Sequence, residues 1–168
     1  MAIHYGDGSN SEDADGRRIQ TIRAATNSST VRSNNAGWIA LNGLTLNITP
    51  KQNNHKILIT AQVPVDTYFN AAGGCGAEMY IARIIGGSST AVWESMVKGR
   101  SNNNHNVMAS ISILHLDSPT TTSQITYTLY GRETHGNTQV TFNGQPNASN
   151  YGSGQAYTAS LIATELAA

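Results

Sequence analysis

Ten carboxylates, five imidazoles and one thiol are the groups in this 168-residue chain with the capacity for acid–base, metal or nucleophilic chemistry. A glycosidase needs two carboxyl groups facing each other across a cleft, roughly 5 to 9.5 Å apart. Asp7, Glu12, Asp13 and Asp15 sit near the start of the chain, and Asp66, Glu78, Glu94, Asp117, Glu133 and Glu165 are scattered over later segments. Six carboxylates spread over separate strands and loops leave such a cleft open but give it no support, so they read as turn caps and surface charges. The histidines His4, His55, His105, His115 and His135 lack the short spacing of a metal pair. His105 and His115 stand too far apart along an extended strand to share an ion. Asp13-Ala14-Asp15-Gly16 lacks the twelve-residue spacing and terminal Glu of a calcium loop. Cys75, between Gly74 and Gly76, has no local signature of a base to activate it, and a single cysteine cannot make an intrachain disulfide. No nucleophile elbow, phosphate loop or dinucleotide fingerprint occurs. The expectation is therefore no catalytic residue, no cofactor and no metal.

Aromatic side chains are the remaining recognition groups. Tyr68, Phe69, Trp93, Tyr130 and Tyr151 fall in or beside loops and strand ends, among Asn, Ser and Thr. Flat rings flanked by amides and hydroxyls suit sugar binding, and Tyr and Trp equally suit a subunit interface. These five are the expected ligand or interface contacts, whereas Trp38, in an alternating pattern, is expected in the core.

Bulk composition narrows the classes further. Charged residues make up 12% of the chain and the formal net charge is zero, against about 25% charged residues in average globular proteins. Such a surface lacks the basic excess that a phosphate backbone demands, so nucleic acid is not an expected partner. No apolar run approaches the roughly 18 residues of a membrane-spanning helix, and the N-terminus does not read as a signal peptide. The expectation is synthesis in a reducing cytoplasm, with no membrane insertion. The Asn-x-Ser/Thr sequons at Asn27, Asn47 and Asn147 then follow from composition alone.

What must position these groups is β-structure. Leu44-Thr45-Leu46-Asn47-Ile48 and Lys56-Ile57-Leu58-Ile59-Thr60 alternate at a period of two about a Pro-started polar turn, and read as a β-hairpin. Similar short strands are expected over 77–85, 91–97, 107–116, 123–130, 138–142 and 156–166, separated by Gly, Asn, Ser and Pro. No helical stripe is present. Seven to nine such strands predict an all-β fold, an antiparallel β-sandwich or jelly roll, over residues 36–168. Residues 1–35 are acidic, then basic, and poor in apolar side chains, and are expected to be an extended N-terminal docking arm. Tyr5, Arg17, Arg18, Ile19 and Ile22 are its expected docking residues.

Four blocks in order resemble the small β-sandwich (jelly-roll) domains of bacteriophage tail-fibre and other virion structural proteins. They are Gly16-Arg17-Arg18-Ile19-Gln20-Thr21-Ile22, the 43–60 block, Ile111 to Tyr127 around Asp117-Ser118-Pro119, and Ser160 to Ala168 with Glu165 near the end. The resemblance covers about residues 16–168. It implies a non-enzymatic virion component, a homotrimer in the manner of tail fibres, attached by its arm to tail, baseplate or capsid proteins, with host surface polysaccharide as a further partner. A capsid decoration (head-fibre or cement) protein is the alternative that the same blocks allow.

Overall fold

The computed structural model describes residues 18–33, 37–69, 73–101, 106–134, 138–144 and 157–168. Its strands are β1 (Arg18–Thr26), β2 (Thr30–Ser33), β3 (Ile39–Ile48), β4 (Lys56–Phe69), β5 (Gly73–Ile85), β6 (Ser88–Ser101), β7 (Asn106–Asp117), β8 (Ile125–Glu133), β9 (Thr138–Phe142) and β10 (Ala159–Leu166). The fold is all-β, and every strand pairing is antiparallel. One sheet has four strands in the order β3-β8-β5-β6. The other has six and is built around the long strand β4. β7 runs along one edge of β4 from Ile57↔Asp117 to Tyr68↔Asn106. The other edge of β4 is shared end to end. β10 takes residues 56–62 and is flanked by β1, and β9 takes residues 65–69 and is flanked by β2.

The two-residue rhythm explains the layering. Ile57, Ile59, Val63, Ile111, Ile113, Leu161 and Val140 point from the six-stranded sheet into one core. Leu44, Leu46, Ile48, Met79, Ile81, Ile125, Tyr127 and Leu129 meet them from the four-stranded sheet. Alternate residues of each strand face outward, as a pleated strand with one buried face requires.

The expected hairpin across residues 43–60 does not form. β3 pairs with β8 in one sheet and β4 lies in the other, so residues 49–55 carry the chain across the sandwich. The block around Asp117-Ser118-Pro119 does the same between β7 and β8. Alternation fixes which face of a strand is buried, but not which neighbour it takes. Crossing at successive turns is what makes this sandwich a jelly roll. A true hairpin joins β5 to β6, where Ile85 faces Ser88 and the turn residues Gly86 and Gly87 both have positive φ, 56° and 84°. That is the type I′ geometry, which matches strand twist and favours glycine at both positions.

The expected arm is also corrected in part. Arg18–Thr26 and Thr30–Ser33 are paired into the six-stranded sheet through β10 and β9. Exposed and half-buried residues alternate along β1, and Ile22 packs against the core. These segments have too few apolar residues to fold alone, but a strand added to an existing sheet needs only one partly buried face and its backbone hydrogen bonds. Residues 1–17, with Tyr5 and Arg17, lie outside the described residues.

Register also fixes polarity. Arg18 and Lys56 both pair with Leu166, so the start of β1, the end of β10 and the 49–55 crossover share one pole. Phe69, Gly73, Ser101, Asn106 and Thr138 mark the opposite pole.

Candidate functional site

The outer face of the four-stranded sheet gathers the chain's recognition groups. Side chains opposite one another across paired strands share a face. Glu94 on β6 pairs with Tyr80 on β5, and Tyr80 with Tyr130 on β8. The two tyrosine rings are stacked, with centroids 4.9 Å apart and planes 6° from parallel. Trp38, just before β3, meets Tyr80 edge-on at 4.7 Å and 87°. The Arg132 guanidinium lies 4.5 Å over the Trp38 ring and is ion-paired to Glu78. Burial and the neighbouring Tyr130 raise the Tyr80 pKa, so the hydroxyl stays a neutral donor and acceptor near pH 7. Between Trp38, Tyr80, Ser89, Ala91 and Glu94 lies a shallow surface recess of about 280 Å³. Two rings set at right angles, a serine hydroxyl and an exposed carboxylate form a surface that can stack on a flat apolar patch while hydrogen-bonding a polyol. Thr45 and Thr128 share a hydroxyl hydrogen bond at 3.1 Å, and Thr126 donates to Asn47 at 2.6 Å, extending the hydroxyl-rich face.

Of the expected contact residues, Tyr130 stands on this face. Trp93 pairs with Ile81 and packs against the core from the inner side. Tyr68 and Phe69 have their backbones in β4 at the far pole, and their side chains, like Tyr151, lie outside the described residues. Arg18 is exposed and Ile19 half-buried on β1. Trp38 is half-buried on the outer face rather than in the core. The register shift between Ala40 and Thr45 reverses the phase of β3. Leu44, Leu46 and Ile48 are buried after it, but Leu41 is buried and Ala40 exposed before it, so Trp38 faces outward with Ala40. Tyr80 escaped the sequence reading. The signal was present, since Tyr80 alternates with the buried Met79 and Ile81 and so had to face outward.

Two buried polar clusters could be mistaken for catalytic centres. Glu165, fully buried, accepts hydrogen bonds from the Lys51 amide and from His55 Nδ1, both at 2.6 Å, and from Gln20 Nε2. Gln20 also donates to Thr49 O at 2.7 Å. Because a carboxylate only accepts, His55 carries its proton on Nδ1. Burial alone would raise the Glu165 pKa, but the hydrogen bonds from Gln20, His55 and Lys51 outweigh it and hold the carboxyl below the ordinary glutamate value. Asp117 accepts from Arg83 Nη1 at 2.7 Å, from Tyr127 Oη at 2.6 Å and from the Ser118 amide at 2.9 Å. Burial first, then the hydrogen bond to Asp117, pushes the Tyr127 hydroxyl far above its ordinary pKa. The first cluster ties β1, β10 and the 49–55 crossover together. The second ties β7 in one sheet to β5 and β8 in the other. Each carboxylate is consumed by donors from its own chain, and neither opens onto the recess. Among the described residues no group of three His, Cys, Asp or Glu side chains could hold a metal ion.

No protein-family model matches the chain, and no curated protein matches it. Among solved structures it is similar to the infectious bursal disease virus Gx strain, at 15% identity and a TM-score of 0.41, covering 88% of this chain and 38% of that one. It is also similar to the VP2 subviral particle of infectious bursal disease virus, at 16% identity, a TM-score of 0.38 and coverages of 92% and 38%. A third similar structure is Eiger TNF from S. frugiperda, at 8% identity, a TM-score of 0.38 and coverages of 88% and 93%. The chain spans about 38% of the length of the viral chains it matches.

Proposed function

We propose that this chain is a bacteriophage virion structural protein, a tail-fibre or adhesin-type module that binds a host-surface glycan on the outer face of its four-stranded sheet. The observation that carries the reading is the Trp38–Tyr80–Tyr130 cluster beside Ser89 and Glu94, a ring-and-hydroxyl surface left open on a sandwich whose buried Glu165 and Asp117 are engaged internally. The order of the four sequence blocks supports the virion setting. Polarity supports attachment: β1 begins and β10 ends at one pole, and residues 1–17, the remaining part of the expected arm, join the sandwich there and grip another virion protein. The homotrimer implied by the resemblance belongs to the same proposal.

Binding of the purified protein to a panel of host-surface polysaccharides tests the reading. Trp38→Ala and Tyr80→Ala are expected to abolish retention while leaving the thermal melt near that of the parent chain. Unchanged retention by both variants refutes the site. Antibody labelling of intact particles separates tail from head, and head labelling with no glycan retention replaces the adhesin by a capsid decoration protein. A monomer in sedimentation refutes the trimer.

A further inference from the structure

Among the described residues the sandwich has several edge strands, and all of these but one are defended against pairing. An open strand edge presents unpaired N–H and C=O groups and invites another strand unless charge, proline, irregularity or shortness blunts it. β1 carries Arg18 and Arg23 and a register shift between Arg18 and Gln20. β2 is four residues long. β3 has an irregularity between Ala40 and Thr45. β6 carries Glu94, Lys98 and Arg100 and a register shift opposite Ile81–Ala82. β7 has none of these. It is twelve residues long, runs in unbroken register with β4, and contains no Lys, Arg, Glu or Pro. Its one carboxylate, Asp117, is turned into the buried cluster with Arg83 and Tyr127. Among the described residues, β7 pairs with β4 alone. Its outward side chains include Met108 (55% exposed), Leu114 (75%) and Leu116 (48%), and the half-buried Leu58 on β4 continues the apolar strip opposite Leu116.

We infer that β7 is a self-pairing edge whose occupant is β7 of a second copy, joined antiparallel about a twofold axis at Ser112. Only registers that place outward residues opposite outward residues keep the inner face buried. Centring on Ser112 sets Met108 opposite the second copy's Leu116, Ser110 opposite its Leu114, and Ser112 opposite its own equivalent. Every exposed apolar side chain of the strip then lies within the seam, and no like charges meet. A shift by two residues in either direction leaves Leu116 or Met108 at the margin. The seam spans eleven residues, Val107 to Asp117, or about 37 Å, and with a strip about 10 Å deep covers roughly 400 Å² per copy. That is half of the roughly 800 Å² per partner of a standard interface, so the pair forms reversibly and separates on dilution. The seam is independent of the glycan site, which lies on the other sheet.

Sedimentation equilibrium of the full chain from micromolar to millimolar concentration tests the seam. The average mass is expected to rise towards twice its dilute value, and Leu114→Lys, at a fully outward position, is expected to lose that doubling while keeping the thermal melt. A cysteine test reads the register. In a Cys75→Ser background, Ser112→Cys is expected to form an intermolecular disulfide under mild oxidation, and Ser110→Cys, displaced from its own equivalent by four residues, is not. Constant mass across the range overturns the inference. Doubling that survives Leu114→Lys, or cross-linking at Ser110 and not Ser112, overturns it as well.

Discussion

Removing the Glu165 carboxylate should cost more stability than any other single polar change in the sheet between β1 and β10. Glu165 is fully buried and takes three donors, Gln20 Nε2, His55 Nδ1 and the Lys51 amide. Glu165→Ala takes the carboxylate acceptor from all three, although Gln20 keeps Thr49 O. Hydrogen bonds to a charged group contribute about 1.5–3 kcal/mol each, so losing those of His55 and the Lys51 amide costs about 3–5 kcal/mol. Glu165→Gln keeps the shape but turns an amide N–H₂ towards at least one donor, so its cost is about 1–3 kcal/mol. For a chain of this size each kcal/mol moves Tm by about 2–4 °C, so the alanine variant should melt roughly 6–20 °C below the parent. The pH dependence has a fixed sign. The folded-state pKa of Glu165 is lowered, so its contribution is fully present above the ordinary glutamate range, about 4.3. It is lost as pH falls through the lower folded value, because the unfolded chain takes up that proton first. The gap between parent and Glu165→Ala should thus be widest at neutral pH and close below pH of about 4. Calorimetry of both proteins across that range checks this. A Glu165→Ala melt within a degree or two of the parent at neutral pH, or a gap that widens on acidification, refutes the reasoning.

Tyr127→Phe removes the hydroxyl that donates to Asp117 Oδ2 and should cost about 1–3 kcal/mol in urea unfolding, because a buried carboxylate oxygen is left without its donor. In the parent protein, ultraviolet titration should show Tyr127 un-ionised well after the other tyrosines have released their protons, since burial and Asp117 both raise its pKa. Gly131→Ala places a Cβ within 2.6 Å of the buried Phe142 ring and 3.0 Å of Leu41. Overpacking of this kind should cost about 1–3 kcal/mol, and Phe142→Leu in the same background should recover part of the loss in a thermal melt.

The layering of this molecule was written in its side chains, while the wiring was not. Leu44, Leu46 and Ile48, or Ile57, Ile59 and Val63, announce a buried face by alternation alone, and each lies in the core. The same pattern is silent about partners, and that is why residues 43–60 read as a hairpin although their two strands lie in different sheets. The neighbours are chosen by long-range packing, such as Asp117 reaching Arg83 and Tyr127 across the sandwich. β1 and β2 were hidden for a related reason. Ile19 and Ile22 offer little apolar area, and their strands exist because β10 and β9 already present edges to them. Of the recognition face, Tyr130 was visible as an aromatic at a strand end. Trp38 and Tyr80 join it only through the β3–β8–β5 register, which no local pattern encodes.

The pairing of the first strand beside the last has a mechanical meaning. β1 and β10 are antiparallel neighbours with eight matched residue pairs, from Arg18↔Leu166 to Thr26↔Ala159. A pull entering at Arg18 and resisted at the far pole runs along these strands, so their backbone bonds are stretched together in shear instead of being unzipped one after another. Gln20, held by Glu165 and Thr49, stands two residues from the point where that load enters. A module tethered through its leading end would therefore resist detachment by the same strand that sequence alone would dismiss as a loose leader.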